Sequence, residues 1–262
     1  MANQTEQVTQ CLYKGTVEII FYPNSHRYKI KGSKTFLISV TAITGIIDKS
    51  RVLIDWALRL ANEYVKKFFE ESKAKSFTPE EILPVIEEAL NQHNVKRDAA
   101  ADSGTQVHDL AQRIGEALRD NQNLPHITDE LPESVKNGIT GFIDWVVEHN
   151  VKFIDCERMV YSKKHGFVGL VDAIIELDGK RYLVDYKTSK GVYSEMKYQV
   201  AGYTIAYEEE LGRLDGQMIV HFNKENGAFT THLISKKENK KNQKTFLACL
   251  KVKQREKELS KF

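Results

Sequence analysis

The chain has 262 residues, of which 41% are hydrophobic and 28% charged, and a net charge of +2; no apolar run approaches the roughly 18 residues of a membrane-spanning helix. Its three cysteines, Cys11, Cys156 and Cys249, have neither CxxC spacing nor the even number of a disulfide framework, which argues against a cysteine zinc site and an iron–sulfur cluster. Because the N-terminal residues are polar and lack the apolar core of a secretory signal, we expect a cytoplasmic protein that is not secreted and has no membrane partner.

Short strands are predicted in residues 12–47. Thr16–Phe21 and Arg27–Lys31 flank Pro23-Asn24-Ser25, which has the composition of a turn. Thr35–Val40 is predicted to be a further strand. The N-terminal part of the chain is therefore expected to be β-structure.

A helical region is predicted over residues 51–150. Thr78-Pro79-Glu80-Glu81 indicates a helix start, because threonine suits the N-cap, proline the first helical position, and acids the positive end of the helix dipole. Arg97–Asp120 and Glu133–His149 continue the helical periodicity. We expect this region to be an insertion before the main sheet.

Residues 151–235 are rich in β-branched and aromatic residues, a composition typical of strands. Asp178-Gly179 is the strongest hairpin signal in the sequence. The predicted elements are the strands Lys152–Tyr161, Phe167–Leu177 and Lys180–Tyr186, the helix Ser194–Leu211, and the strands Met218–Phe222 and Ala228–Ile234, joined at Asn226-Gly227.

The segment 236–262 is predicted to be a basic helix. It contains ten Lys or Arg and three Glu, a cluster typical of a surface that binds nucleic acid, although a solvated charged helix is the plain alternative. No repeat and no Gly/Ser/Pro linker divides the chain. We therefore predict a single domain over residues 1–262, of the α+β or mixed α/β class.

Two acids and a lysine stand at the hairpin of the predicted core. Asp172 and Asp185 lie within otherwise apolar runs on the two strands that Asp178-Gly179 joins. Burying an unpaired carboxylate is costly, and a hard divalent cation is a common compensating partner. Because side chains alternate along a strand, Asp185 and Lys187 are expected to point to the same face.

Such a set suits phosphodiester hydrolysis. A metal ion can polarise a phosphoryl oxygen and lower the pKa of a bound water, and a lysine can orient that water or stabilise the charge of the transition state. The Asp-x-Lys pattern alone is weak, since acids at strand ends are often turn residues and lysines are usually solvated. The second acid, the hairpin and the apolar flanks make the pattern specific.

These residues resemble the PD-(D/E)XK nuclease superfamily, in particular its RecB-type exonuclease branch. Gly104-Thr105-Gln106-Val107-His108 is similar to the GTxxH helix motif of that branch, and Gln199-Val200-Ala201-Gly202-Tyr203 to its QxxxY motif. Glu157 matches an acid upstream of the metal site. Asp185 stands where many relatives have glutamate, and the four cysteines of the relatives with an iron–sulfur cluster are absent, as in the phage or mitochondrial kind.

The resemblance implies a restriction-endonuclease-like core, a central mixed sheet flanked by helices. It implies one or two Mg²⁺ or Mn²⁺ ions held by Asp172, Asp185, His108 and the carbonyl group of Tyr186. Lys187 would position or activate the attacking water. The remaining implied roles are a further catalytic acid at Glu157 and DNA contacts at Thr105, Lys190, Gln199 and Tyr203.

Each added residue has a structural alternative. His108 suits an ordinary, partly buried helix histidine, and Glu157 an exposed strand acid. Gln199 and Tyr203 are one helical turn apart, so a packing contact between them is an equal alternative. Lys190 fits a solvated loop. We interpret His26 and His165 as structural or solvent-facing.

The predicted function is that of a metal-dependent DNA exonuclease that prefers single strands or free ends. The helical region 51–150 would form a wall or arch over the path of the strand. The expected partners are DNA and phage or host recombination and replication proteins, in a bacterial or phage-infected cell. Two alternatives remain, a sequence- or structure-specific endonuclease on the same core and a non-catalytic DNA-binding or assembly protein.

Overall fold

A computed structural model describes residues 7–74, 76–223 and 225–259 of the chain. It has a central mixed sheet flanked by helices, preceded by a small antiparallel sheet. The predicted mixed α/β class is therefore confirmed. In the part of the chain that the model covers, no helix is long and apolar enough to cross a membrane.

The secondary-structure elements follow the predicted order closely. The strands are β1 (Val8–Leu12), β2 (Val17–Tyr22), β3 (Arg27–Ile30), β4 (Ile38–Ser39), β5 (Lys152–Ser162), β6 (Phe167–Leu177), β7 (Lys180–Ser189), β8 (Gly216–Asn223) and β9 (Phe229–Ile234). The helices are α1 (Val40–Thr44), α2 (Ser50–Glu71), α3 (Pro79–Arg119), α4 (Glu133–Glu148), α5 (Ser194–Leu211) and α6 (Lys236–Leu259).

The start of α3 has the predicted chemistry. The Thr78 N–H donates to Glu81 Oε2 at 2.8 Å, and the Glu81 N–H donates to the Thr78 carbonyl oxygen at 3.2 Å. Pro79 is the first helical residue, where its missing N–H costs no hydrogen bond. The helix then continues without a break to Arg119, and so includes nearly all of Arg97–Asp120, which the sequence presents as a separate periodic segment.

The N-terminal prediction needs one correction. Thr35–Val40 is not one strand, because only Ile38–Ser39 pairs with β6 and Val40–Thr44 is helical. Ser39 caps that helix, its Oγ accepting the Ala42 N–H at 3.1 Å. Residues 12–47 are therefore not uniformly strands.

The main sheet has the order β4-β6-β7-β8-β9, with β5 paired to β6. The β4–β6 and β7–β8 pairs are parallel, and the others are antiparallel. Because β5 occupies one edge of β6 along its length, β4 and β7 share the opposite edge. β4 pairs with Phe167 and Val168 at the start of β6, whereas β7 pairs with Ala173–Leu177 at its end.

The two faces of the sheet carry separate apolar clusters. One face packs against residues 107–114 of α3 and against α4, around Phe142, Tyr186 and Phe222. The other face is covered by α1, α5 and α6, around Phe167 and Phe246. This alternation places Asp185 and Lys187 on the α5 face and Tyr186 on the α4 face.

The basic helix α6 is part of this second cluster. Asn239, Asn242, Phe246 and Leu250 are buried on its inner side. The ring of Phe246 lies 5.0 Å from that of Phe167 between centroids, and a Cβ at Gly202 of α5 would approach Phe246 to 2.5 Å. The two helices therefore approach each other as closely as the absence of a side chain at Gly202 allows.

The chain divides into two compact units, one within Met1–Ile46 and Gln106–Phe262 and the other within Ile47–Thr105. The first contains the sheets and the clusters above. The second contains α2 and residues 79–105 of α3, and among its described side chains only Ala89 is buried. Apolar side chains of α2 such as Val52 and Leu58 are exposed.

Candidate active site

The site lies where β6 and β7 separate. Their antiparallel pairing runs from Leu177–Lys180 to Ala173–Val184 and stops there. Beyond this point β7 continues to Ser189, paired only with β8. Asp172 and Asp185 are the first residues past the last pair, so the fork brings the two acids together at its apex.

At this fork β6 and β7 no longer pair, and the Asp172 side chain accepts a hydrogen bond from the backbone of β7 instead. Its Oδ2 accepts the backbone N–H of Tyr186 at 2.6 Å, and its Oδ1 lies 3.1 Å from His108 Nε2. Burial acts to raise the pKa of Asp172, but His108, Lys187 and the Tyr186 N–H together hold it below its ordinary value. The carboxylate is therefore ionised, with both oxygens engaged.

His108 reaches this acid from α3. Burial lowers the pKa of the imidazole, but the hydrogen bond and the charge of Asp172 outweigh burial, so the pKa lies above its ordinary value. The ring also packs edge-on against Tyr186, 5.6 Å between centroids. His108 and Asp172, both predicted to be metal ligands, are thus in direct contact with each other.

Asp185 and Lys187 form a nearly enclosed pair. The side chain of Asp185 is 1% exposed and that of Lys187 18%, with Nζ 2.6 Å from Oδ2. The Lys187 ammonium thus compensates the charge of Asp185, and no other donor among the described residues hydrogen-bonds Asp185 Oδ2. Burial raises the pKa of Asp185 to about 6, with Lys187 opposing the rise and Asp172 adding to it.

Glu157 is turned toward the same site by an irregularity in β5. The pairs on either side, Cys156–Ala173 and Arg158–Val171, put Glu157 opposite Asp172. Its φ of 48° is left-handed, a conformation that costs a non-glycine residue about 1–2 kcal/mol. The side-chain amide of Gln10 spans the irregularity, donating to the Glu157 carbonyl oxygen at 3.1 Å and accepting the Met159 N–H at 2.9 Å.

Gln199 and Tyr203 line the site from α5 and contact each other. Gln199 Nε2 lies 2.7 Å from Tyr203 Oη. Tyr203 is also buried in the α5-side cluster, against Gly169, where a Cβ would come within 2.4 Å of the ring. Gln199 and Tyr203 therefore contact each other and also line the site.

A cavity of about 250 Å³ joins these side chains. It brings together most of the sequence-predicted site residues: His108, Glu157, Asp172, Asp185, Tyr186, Lys187, Gln199 and Tyr203. Thr105 and Lys190 do not line it. Thr105 belongs to the other compact unit and donates to the Ala101 carbonyl oxygen at 2.9 Å, and Lys190 is exposed and ion-paired with Glu225.

The N-terminal residues supply a wall that the sequence did not indicate. His26, Tyr28, Ser39 and Thr41 line the cavity, although we interpreted His26 as structural or solvent-facing. His26 follows the Pro23–Ser25 turn at φ 48° and packs edge-on against Phe21. In the sequence, the one local indication of this wall is the serine at position 39, a residue type that favours a helix N-cap.

The side chains that line the cavity include oxygen donors of the kind that a divalent cation prefers. In the described ranges, no group of three or more His, Cys, Asp and Glu side chains is arranged to hold a metal ion. The chemistry of the two carboxylates still fits a hard cation, because both line one cavity and Asp185 Oδ2 is buried without a hydrogen-bond donor. A bound cation would replace the present ion pairs of these oxygens.

Comparison with known proteins gives distant likenesses. No protein-family model and no curated protein matches the chain. A crystal structure of a candidate exonuclease from Eubacterium rectale matches with 12% identity and a TM-score of 0.40, over 58% of this chain and 68% of that one. The crystal structure of SSO0001 matches with 14% identity and a TM-score of 0.29, over 56% and 73%. The site is therefore interpreted from its own geometry.

Proposed function

We propose that the protein is a Mg²⁺- or Mn²⁺-dependent deoxyribonuclease of the PD-(D/E)XK superfamily, acting as an exonuclease. One observation carries the proposal: the buried carboxylate of Asp185, the partly buried carboxylate of Asp172 and a lysine converge at the fork between β6 and β7, where the sheet is open to a cavity. A scaffold that only binds DNA has no use for a nearly enclosed Asp185–Lys187 pair beside a cavity, because taking two charges out of water is costly even when they pair.

In the proposed chemistry, these side chains have separate roles. When bound, the metal ion supplies polarisation of the phosphoryl oxygen and a water of lowered pKa. Asp172, Asp185, His108 and the Tyr186 carbonyl group would hold it. Lys187 donates to the attacking water or to the phosphoryl oxygen, and stabilises the charge that develops there. The products are a 5′-phosphate and a 3′-hydroxyl.

His108 is assigned a role in metal affinity. Since His108→Ala removes one ligand, we expect the Mg²⁺ concentration for half-maximal cleavage to rise about tenfold or more, with the rate at saturating Mg²⁺ less affected. The measurement is a Mg²⁺ titration of the cleavage rate. His149→Ala, an exposed histidine at the end of α4, is the matched control. An unchanged Mg²⁺ requirement in His108→Ala would indicate that His108 has a structural role and is not a metal ligand.

The substrate proposal is DNA with free ends, single strands preferred. It rests on the GTxxH-like and QxxxY-like segments at His108 and at Gln199 and Tyr203, which resemble the exonuclease branch. An enzyme that needs an end cannot start on a covalently closed circle, so substrate topology separates the candidate activities.

The deciding experiment incubates the protein with end-labelled linear single strands, linear duplexes and closed circles. We expect short products from linear DNA, intact circles, no cleavage in chelator, and inhibition by Ca²⁺, whose coordination geometry is looser than that of Mg²⁺. Discrete fragments from closed duplex circles would instead indicate the endonuclease alternative. Binding without cleavage of any substrate would indicate the non-catalytic alternative.

A further inference from the structure

A chain of polar side chains lies beside Lys187 on the neighbouring strands. His221 of β8 is paired in register with Lys187 of β7, and Thr230 of β9 is paired with His221. Residues paired across strands share a face, so the three side chains form a row across the sheet. His221 is 6% exposed, and a buried polar side chain at this place requires hydrogen-bond partners.

The partners of His221 fix its tautomer. Nε2 lies 2.9 Å from the Ser189 carbonyl oxygen, which can only accept, so Nε2 carries the hydrogen. In the neutral ring Nδ1 is then an acceptor, and it receives the Thr230 hydroxyl at 3.4 Å. Thr230 Oγ1 in turn accepts from His232 Nε2 at 3.1 Å. The hydrogen bonds therefore run in one direction, from exposed His232 to the backbone of Ser189.

Ser189 ends β7, two residues after Lys187. The following carbonyl oxygens are also held by side chains: Asn223 Nδ2 donates to that of Lys190 at 3.3 Å, and Ser189 Oγ to that of Gly191 at 2.7 Å. Pairing with β8 ends at Ser189, so the chain between Ser189 and α5 is held by side chains, those of His221 and Asn223 on β8 and that of Ser189 itself. Of these contacts, the one that His221 makes with Ser189 is the nearest to Lys187 in sequence.

We propose that His221 is a positioning residue for Lys187, oriented by Thr230 and His232. The inference rests on the nuclease function proposed above. By holding the Ser189 carbonyl group, His221 fixes the end of β7 and so keeps the Lys187 ammonium against Asp185 and the reacting phosphate. A displacement of about 1 Å at such a group costs about 10²-fold in rate, so a buried contact outside the cavity lining affects turnover.

The first test compares two replacements at one position. His221→Phe keeps an aromatic ring but removes the side-chain donor to the Ser189 carbonyl group, and we expect kcat to fall about 10- to 100-fold with little change in KM. His221→Gln restores an N–H donor and should recover most of that loss. Thr230→Val should give a smaller loss of kcat. Thr231→Val, exposed on the opposite face of the same strand, is the matched control and should behave like the wild type.

A second measurement does not depend on turnover or on the folding of a variant. In ¹⁵N NMR of the wild-type imidazoles, His221 should be protonated at Nε2 and unprotonated at Nδ1, without metal or DNA. The opposite tautomer would overturn the proposal, since Nε2 could not then donate to Ser189. So would an unchanged kcat in a folded His221→Phe variant, or an equal loss of kcat in His221→Gln.

Lys187→Ala, measured in parallel, separates a failure of the proposed nuclease function from a failure of the positioning role of His221. If Lys187→Ala is inactive and His221→Phe cleaves at the wild-type rate, only the positioning role is wrong. If Lys187→Ala itself cleaves at the wild-type rate, the proposed function fails and the positioning role fails with it.

Discussion

Asp185→Asn should abolish DNA cleavage, and Lys187→Ala should reduce the cleavage rate by about 10²- to 10³-fold. The carboxylate and the ammonium lie 2.6 Å apart at the apex of the fork, where in the proposed reaction one would hold the cation and the other would stabilise the developing charge. Asparagine keeps the size of the side chain but not its charge, so the loss reports chemistry rather than packing. Single-turnover rates on end-labelled linear DNA measure both effects.

Two matched variants separate this effect from general changes of charge. Asp178→Asn and Lys180→Ala alter an exposed acid and an exposed lysine at the far end of the same hairpin, and both should cleave like the wild type. Circular dichroism should report an unchanged fold in every variant, and anisotropy without metal should report most of the DNA binding retained. Cleavage at the wild-type rate by Asp185→Asn would show that the assignment of the site is wrong.

Removing residues 236–262 should unfold the protein rather than only weaken its binding to DNA. Phe246 is 0% exposed and packs against Phe167 and Gly202, and Leu250 is buried in the same cluster. Truncating one buried phenylalanine to alanine typically costs about 3–5 kcal/mol, a large part of the 5–15 kcal/mol that stabilises a domain. Thermal unfolding of the truncated chain and of Phe246→Ala measures the effect.

The charge of α6 can be tested without removing the helix. Lys241 and Lys244 are exposed, so Lys241→Glu with Lys244→Glu should leave the melting temperature nearly unchanged. If α6 contacts DNA, that variant should bind more weakly and with a shallower salt dependence, because fewer phosphates are neutralised. An unchanged salt slope would favour the solvated-helix interpretation, and a truncated chain that still folds would contradict the packing role.

The central hairpin and its acids could be predicted from the sequence because the patterns that indicate them are formed by consecutive residues. The bounds of β6 and α5 agree with the predicted Phe167–Leu177 and Ser194–Leu211, since alternation, the Asp178-Gly179 turn and helical periodicity are properties of consecutive residues. The same alternation places Asp185 and Lys187 on one face.

The missed features depend on contacts between distant parts of the chain. α1 has five residues, too few for a helical period to be visible. Ser39 reaches the cavity because β4 pairs with β6, which is more than 120 residues away in sequence, and His26 lies beside the first sheet, whose apolar side chains pack against Met159 and Val168. The orientation of Glu157 follows from a left-handed φ held by Gln10, and no local pattern indicates such a backbone. Local sequence patterns therefore identified the acids but not the wall opposite them.

Asp172 serves the backbone as well as the proposed chemistry, and this affects how an inactive protein for trapping a substrate complex should be made. Replacing Asp172 with alanine would leave the Tyr186 N–H without its acceptor, at a cost of about 1–3 kcal/mol for a buried donor. The fork itself would then relax, and a trapped complex would show an altered backbone beside the scissile bond. The close partner of the Asp185 carboxylate is a side chain, the Lys187 ammonium, so Asp185→Asn should silence the site without removing a hydrogen bond of the backbone.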